Sequence, residues 1–415
     1  MRRAYPLLQE PPRSGEWGRR ALDTRRTSAQ HGAVKIAAIR LYLVECRLAE
    51  PQGNATRFID RRGSLLVEVK SDDGLSGWGE TWHSPPAAWT IIETTLAPAI
   101  LGQDPMEYQR LWAAMHERLG YERQGPGLMA LSAVDMALWD LRGRALGQPI
   151  CRLLGGPIRT RVPAYASGPY LRPGRDPYRA YRREAERFIA PGFRAMKMKV
   201  GVDPAADGRA ASAVRKVVGP DVILLADANQ GYTVRPAIET GRQLEAEGFA
   251  WLEEPVAPDD VEGYAHVAGA LGLAVVGGEA LGGIRAFRSF FERNALDAAQ
   301  PDLAIAGGFT EVARVAALAA AWEVPVVPHV WGTALNLFAS LQLCAVLPGY
   351  RSHTSMPYPW FEYDQSPNPL RDLWGVPAVG PDGMVQIPQG PGLGIEVDPR
   401  AFRPYLQRRG EIAQA

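Results

Sequence analysis

Between residues 160 and 365 short apolar runs alternate with amphipathic stripes, and nothing else in the chain constrains its fold as strongly. The runs fall at 162–167, 195–200, 222–228, 249–255, 274–280, 298–304, 325–331 and 360–364. Tyr178, Tyr181, Ala185 and Phe188 form one stripe between them, and Val312, Val315, Ala316 and Ala319 another. Eight short buried strands joined by helices are what a closed (β/α) barrel requires. The competitor, an open doubly wound sheet, brings a glycine-rich phosphate turn after its first strand. Ala166-Ser167-Gly168-Pro169 is not one.

Polar residues end these runs in sequence: Lys197 and Lys199, Asp227 and Asn229, Glu253 and Glu254, Glu279, Asp302, His329 and Glu362. They follow one another at roughly 23 to 33 residues, one βα unit per step. In a barrel such residues meet at the C-terminal mouth. Asp227, Glu253 and Glu279 end three consecutive runs, and three converging carboxylates need a cation. All-oxygen ligation with room for water and substrate suits Mg²⁺, with Mn²⁺ as a substitute.

Only five of the 46 basic residues are lysines, yet Lys197 and Lys199 stand one residue apart in an apolar run. The two-residue period of a strand puts both on one face, toward the mouth. Each ammonium, with a divalent cation near, is expected to lower the pKa of the other and to free one as a base. His329 ends the run after the one carrying Asp302, so the carboxylate can fix the imidazole tautomer and raise its basicity. A substrate chelated between the lysines and the His/Asp pair has a base on each side. That arrangement serves removal of a proton next to a carboxylate, through an enediolate that a divalent cation stabilises.

The remaining composition excludes other classes. With 46 basic against 45 acidic residues the chain lacks the electrostatic footprint of a nucleic-acid binder. Cys46, Cys151 and Cys344 are far apart and without CxxC spacing, which argues against a disulfide framework or a thiolate zinc site. No apolar stretch is long enough for a membrane helix. A cytoplasmic protein with a small-molecule substrate, and no nucleic-acid or membrane partner, is expected. Residues 1–34 carry seven arginines against three acids, without periodicity or the apolar core of a secretory signal, and read as a disordered extension.

Strands are expected at 36–46, 64–70 and 75–80, the last two joined by a turn at 71–74. Helical stripes follow: Tyr108, Leu111, Trp112, Met115 and Leu119, then Leu131, Val134, Leu138, Leu141 and Ala145. This 35–160 region reads as an α+β domain. The Pro- and Gly-rich tail at 366–415 has no βα unit and is expected to complete that domain. Its Gly390, Gly392 and Gly394 read as turns rather than a nucleotide loop. The barrel is assigned to 161–365.

As a set these motifs carry a family resemblance. Lys197-Met-Lys199, Asp227-Ala-Asn229, Trp251-Leu-Glu253-Glu254-Pro255, Gly278-Glu279, Gln300-Pro301-Asp302, Pro328-His329 and the helix 133–140 resemble the enolase superfamily, in its mandelate racemase-like subgroup. The resemblance implies an α+β capping domain on a (β/α)7β barrel, Mg²⁺ on Asp227, Glu253 and Glu279, and a homo-oligomer. It implies Lys199 as one base with Lys197 as its modulator, the His329–Asp302 dyad as the second, and Glu362 as the acid that hydrogen-bonds the substrate carboxylate. Substrate contacts are expected from Asn229, Trp82, His83 and Trp331, and from the segment 51–62. The stretches 227–234 and 327–333 resemble acid-sugar enzymes, aldarolactone cycloisomerases in particular. The expected reaction is therefore β-elimination on an acid sugar (a dehydratase) or an aldarolactone (a cycloisomerase). A racemase or epimerase of a 2-hydroxy acid or amino-acid derivative is the alternative. A catalytically silent binding homologue would have lost at least one strand-end group, and every position here is filled.

Overall fold

The computed structural model describes residues 34–414. The reading of 1–34 as an extension falls, but for Val34, outside them. Two sheets organise the described chain. The first runs β12-β1-β2-β3, all antiparallel, from β1 (Ile36–Gly53), β2 (Phe58–Ser71), β3 (Ser76–Thr81) and the distant β12 (Leu406–Ala413). Helices α1 (Pro85–Ile91), α2 (Ala97–Ile100), α3 (Tyr108–Leu119), α4 (Pro126–Ala145) and α5 (Ile150–Leu153) follow β3.

Strand alternation is loose here because this sheet is buried on both faces. Ile39, Leu41, Leu65 and Val67 pack on the helices, whereas Tyr42, Val44 and Leu66 join the core shared with the barrel. The first two strands also run further than their sequence suggests. Their irregular extension beyond Arg47 carries residues 48–62 out as a long hairpin with its tip at 54–57.

The second sheet is the barrel of a (β/α)7β fold. Seven parallel strands lie in the order β10-β4-β5-β6-β7-β8-β9. They are β4 (Arg161–Ser167), β5 (Ala195–Lys199), β6 (Ile223–Asp227), β7 (Phe249–Glu253), β8 (Ala274–Gly277), β9 (Ala298–Ala299) and β10 (Phe361–Asp364). Between them run α6 (Tyr181–Ile189), α7 (Pro204–Val218), α8 (Val234–Ala246), α9 (Val261–Ala270), α10 (Gly283–Phe291), α11 (Gly308–Ala321) and α12 (Ala334–Cys344).

Two expected strands are cut short. The run 298–304 keeps only Ala298 and Ala299 as strand, and 325–331 contributes a single bridge, Ala299 to Val326. Pro301, Pro325 and Pro328 lack the N–H a ladder needs. Tyr165, Leu225, Trp251, Val276, Val327 and Trp360 fill the interior and make a solid floor under the mouth, with Trp251 and Trp360 stacked at 5.1 Å. In the tail, β12 pairs with β1, but β11 (Met384–Gln386) adds antiparallel to β4, so this segment packs on both sheets.

Helix α4, which carries the 133–140 motif, is the seam between them. Its Ser132 Oγ accepts the Gly307 N–H at 2.8 Å, and Asp135 accepts the Thr310 N–H at 3.0 Å and its hydroxyl at 2.6 Å. Both satisfy donors that the first turn of α11 cannot bond internally.

Candidate active site

Sheet register builds the centre of the site. Lys199, Asp227 and Glu253 pair directly across β5, β6 and β7, each as the last residue of its strand. Paired residues of parallel strands face the same way, here into the mouth. Glu279 comes just after β8. One carboxylate oxygen from each of Asp227, Glu253 and Glu279 lies within 4.8 Å of the others.

The donor set fits a hard divalent cation. Among the described residues Asp227, Glu253, Glu279, Asp302 and Glu362 form ion pairs only with Lys197, Lys199 and His329, five carboxyl groups to three cationic ones. Burial and the neighbouring carboxylates push Glu253 up to about 8. Glu279 Oε2 is buried and makes no hydrogen bond, its one polar neighbour being His329 Nε2 at 3.1 Å. Oxygen ligands of this kind suit Mg²⁺.

Both lysines are engaged by these acids. Lys197 Nζ lies 2.5 Å from Glu253 and 2.8 Å from Glu362, and Lys199 Nζ bonds Asp227. Burial alone would lower an ammonium's pKa. Glu253 and Glu362 outweigh it at Lys197 and hold that group well above its usual range. Asp227 does the same at Lys199, though Lys197 opposes it. The expected mutual lowering is therefore overridden in this charge environment, because each ammonium sits closer to a carboxylate than the sequence could indicate. Glu362 resists burial and drops to about 2 through Lys197 and His329. It also accepts the Ser167 hydroxyl at 2.7 Å and the Val330 N–H at 3.1 Å.

Opposite the lysines, His329 Nδ1 lies 2.7 Å from Asp302 Oδ2 and its Nε2 lies 3.1 Å from Glu279. Burial would lower the imidazole pKa, but Glu279, Glu362 and Asp302 raise it to about 10. Asp302 is saturated by donors. Trp82 Nε1–H reaches Oδ2 at 2.8 Å, while the Ala304 N–H (2.7 Å) and Asn336 Nδ2–H (3.0 Å) reach Oδ1. The first domain thus supplies one of the bonds that aim the dyad.

Lys199 and His329 both line one cleft, together with Glu279, Asn229, Trp82 and Trp331. Arg62 stacks 3.6 Å above Trp331 and is fixed by Asp364 at 2.6 Å. His83 lines an adjoining cavity instead, with its ring 5.5 Å from Trp82.

Sequence reading did not single out Asn336, Gln300, Gln52 or Arg57. Gln300 Nε2–H donates to Glu253 at 2.7 Å. Gln300 stands in a quoted motif, and the two hairpin residues stand in the 51–62 segment. Asn336 opens a helix after the His329 loop, and no local pattern separates it from an ordinary helix start.

Residues 180–401 match the enolase C-terminal domain-like family, and residues 38–155 match the mandelate racemase/muconate lactonizing enzyme N-terminal domain. The chain is 38% identical over 374 residues to the D-galactarolactone cycloisomerase of Agrobacterium fabrum, spanning 90% of this chain and 99% of that one. It is 32% identical over 346 residues to the arabinonate dehydratase of Saccharolobus solfataricus, spanning 82% and 90%. A crystal structure of a racemase from Streptomyces coelicolor A3(2) with bound magnesium superposes with a TM-score of 0.78 at 30% identity, covering 90% of this chain and all of that one. The chain belongs to the mandelate racemase/muconate lactonizing enzyme family of the enolase superfamily.

Proposed function

We propose that this chain is a Mg²⁺-dependent enzyme that removes the proton α to a carboxylate and eliminates a β-oxygen, acting on an acid sugar or its lactone. The observation that carries this reading is the placement of Lys199 and His329 on one cleft, with the carboxylate trio between them. A divalent cation on Asp227, Glu253 and Glu279 would neutralise charge developing on the substrate carboxylate and draw Asp227 off Lys199.

Of Lys199 and His329, one takes the α-proton and the other returns a proton on the far side. The Cα–H electron pair becomes the Cα–Cβ double bond, the β C–O bond breaks, and the departing oxygen takes the returned proton. The resulting enol ketonises to a 3-deoxy-2-keto acid. A free hydroxyl leaves as water, the dehydratase outcome. A lactone ring oxygen stays in the molecule, the cycloisomerase outcome. Asp302 holds the His329 tautomer, and Trp82 and Asn336 hold Asp302. Glu362, anchored by Ser167 and Lys197, faces the same centre.

The test is proton NMR in D₂O with Mg²⁺ over aldonic acids, aldaric acids and their lactones. The expected result is loss of the α-proton signal with growth of a 3-deoxy product. Exchange with inversion and no deoxy product would instead establish a racemase, and silence across the panel would remove sugar acids as substrates.

A further inference from the structure

The end of strand β3 brings two side chains of the capping domain toward the His329–Asp302 dyad. Trp82, just past the strand, reaches Asp302 Oδ2 directly at 2.8 Å. Glu80, two residues earlier, is fully buried and bonds the start of α12 instead. Its Oε1 accepts the Thr333 N–H at 2.9 Å, the Thr333 hydroxyl at 2.8 Å and the Asn336 N–H at 2.7 Å. Its Oε2 accepts the Ser64 hydroxyl at 2.6 Å.

The segment 329–336 folds around this carboxyl group. Gly332 has a φ of +104°, and a Cβ there would stand 2.9 Å from Glu80 Oε2, so the approach needs glycine on both counts. His329 lies at one end of the segment and Asn336 at the other. Asn336 Nδ2–H donates to the Trp331 carbonyl at 2.9 Å and to Asp302 Oδ1 at 3.0 Å, and Asp302 Oδ2 lies 2.7 Å from His329 Nδ1. A chain of hydrogen bonds therefore runs from Glu80 through Asn336 and Asp302 to the imidazole.

Helix capping does not account for this acid. Thr333 already caps α12, its hydroxyl oxygen accepting the Leu335 N–H at 3.2 Å. All the hydrogen-bond partners of Glu80 are neutral, and a carboxyl group buried without a cation is costly to keep. What an acid reaching over from the other domain adds is a fixed position for the first turn of α12.

We propose that Glu80 is a positioning residue for the His329–Asp302 dyad. It fixes the segment 329–336 and, through Asn336, the direction in which Asp302 presents the imidazole to the cleft. The effect on turnover rests on the function proposed above, whereas the effect on the ring does not.

The chain has six histidines, so labelling their rings with ¹⁵N gives a spectrum in which one residue can be followed, and His329→Asn identifies its signals. Glu80→Met is expected to shift or broaden the His329 ring signals and to leave those of His116, His266 and His353 in place. In the NMR assay of turnover it should lower kcat about 10- to 100-fold with little change in KM. Glu80→Gln keeps the shape and one acceptor oxygen, and should move the same signals less and recover most of the turnover. Unmoved His329 signals in Glu80→Met, or in Glu80→Gln if the Met variant does not fold, overturn the proposal. So do histidine signals that all move together, or a raised KM with kcat intact. A moved His329 signal with full turnover instead sinks the dyad's part in the reaction and leaves the positioning by Glu80 standing.

Discussion

Single side chains here are held from several directions at once. Asp302 accepts four hydrogen bonds, two on each oxygen, from three different parts of the chain, so the imidazole it orients has little freedom. Lys199 and His329 are the two cleft residues that the proposed reaction uses to move protons. Lys199→Ala and His329→Asn are each expected to lower kcat by about 10²–10⁴-fold. Metal affinity should not fall in Lys199→Ala, because the ammonium and the metal compete for Asp227. Steady-state kinetics with a Mg²⁺ titration checks both points, and a variant with full turnover would remove that residue from the chemistry.

Among the elements, helix α4 shows how a family motif can be structural. Asp135 caps α11, and Asp140 accepts the Trp78 and Leu393 N–H groups, so the motif joins the cap to the barrel rather than entering the cleft. Burial pushes Asp135 from 3.8 up to about 7, with Thr310 opposing. An acid raised on folding keeps its proton in the folded chain after the unfolded chain has lost it. Its contribution to stability therefore falls as pH rises from about 4 to about 7 and is flat above that. Between pH 5 and pH 8 the native chain should lose on the order of 2–3 kcal/mol more than Asp135→Asn. Urea unfolding at the two pH values measures this, and equal losses would refute it.

Across the whole molecule, the proposed metal site would couple metal binding to stability through its buried carboxylates. Their excess charge is only partly met by Lys197, Lys199 and His329. Free Mg²⁺ at 100-fold its Kd should stabilise the fold by about 2.7 kcal/mol. Glu253→Gln, which removes one anionic ligand, should lose most of that gain. Thermal unfolding with Mg²⁺ and with a chelator decides it, since an unmoved Tm would mean that the trio binds no metal.

The periodic part of this protein was legible in its sequence. Short parallel strands, most of them followed by a helix, repeat apolar runs and polar ends at a steady interval, and local rules read that interval directly. The two short strands were misjudged because apolar content outweighed Pro301, Pro325 and Pro328, whose missing N–H groups stop a ladder whatever the hydropathy. The capping sheet showed weak alternation because both its faces are buried. The acids, lysines and His329 could be named from spacing, since each lies in or just after one of the apolar runs, although only Lys199, Asp227 and Glu253 close a strand. What the chain order could not reveal is who touches whom: that Trp82 and Asn336 share Asp302, that carboxylates hold the lysines charged, and that Glu80 bonds the first turn of α12. Those contacts join residues far apart in sequence, and hydrogen bonding, charge pairing and close approach act through distance in space, which only the folded chain determines.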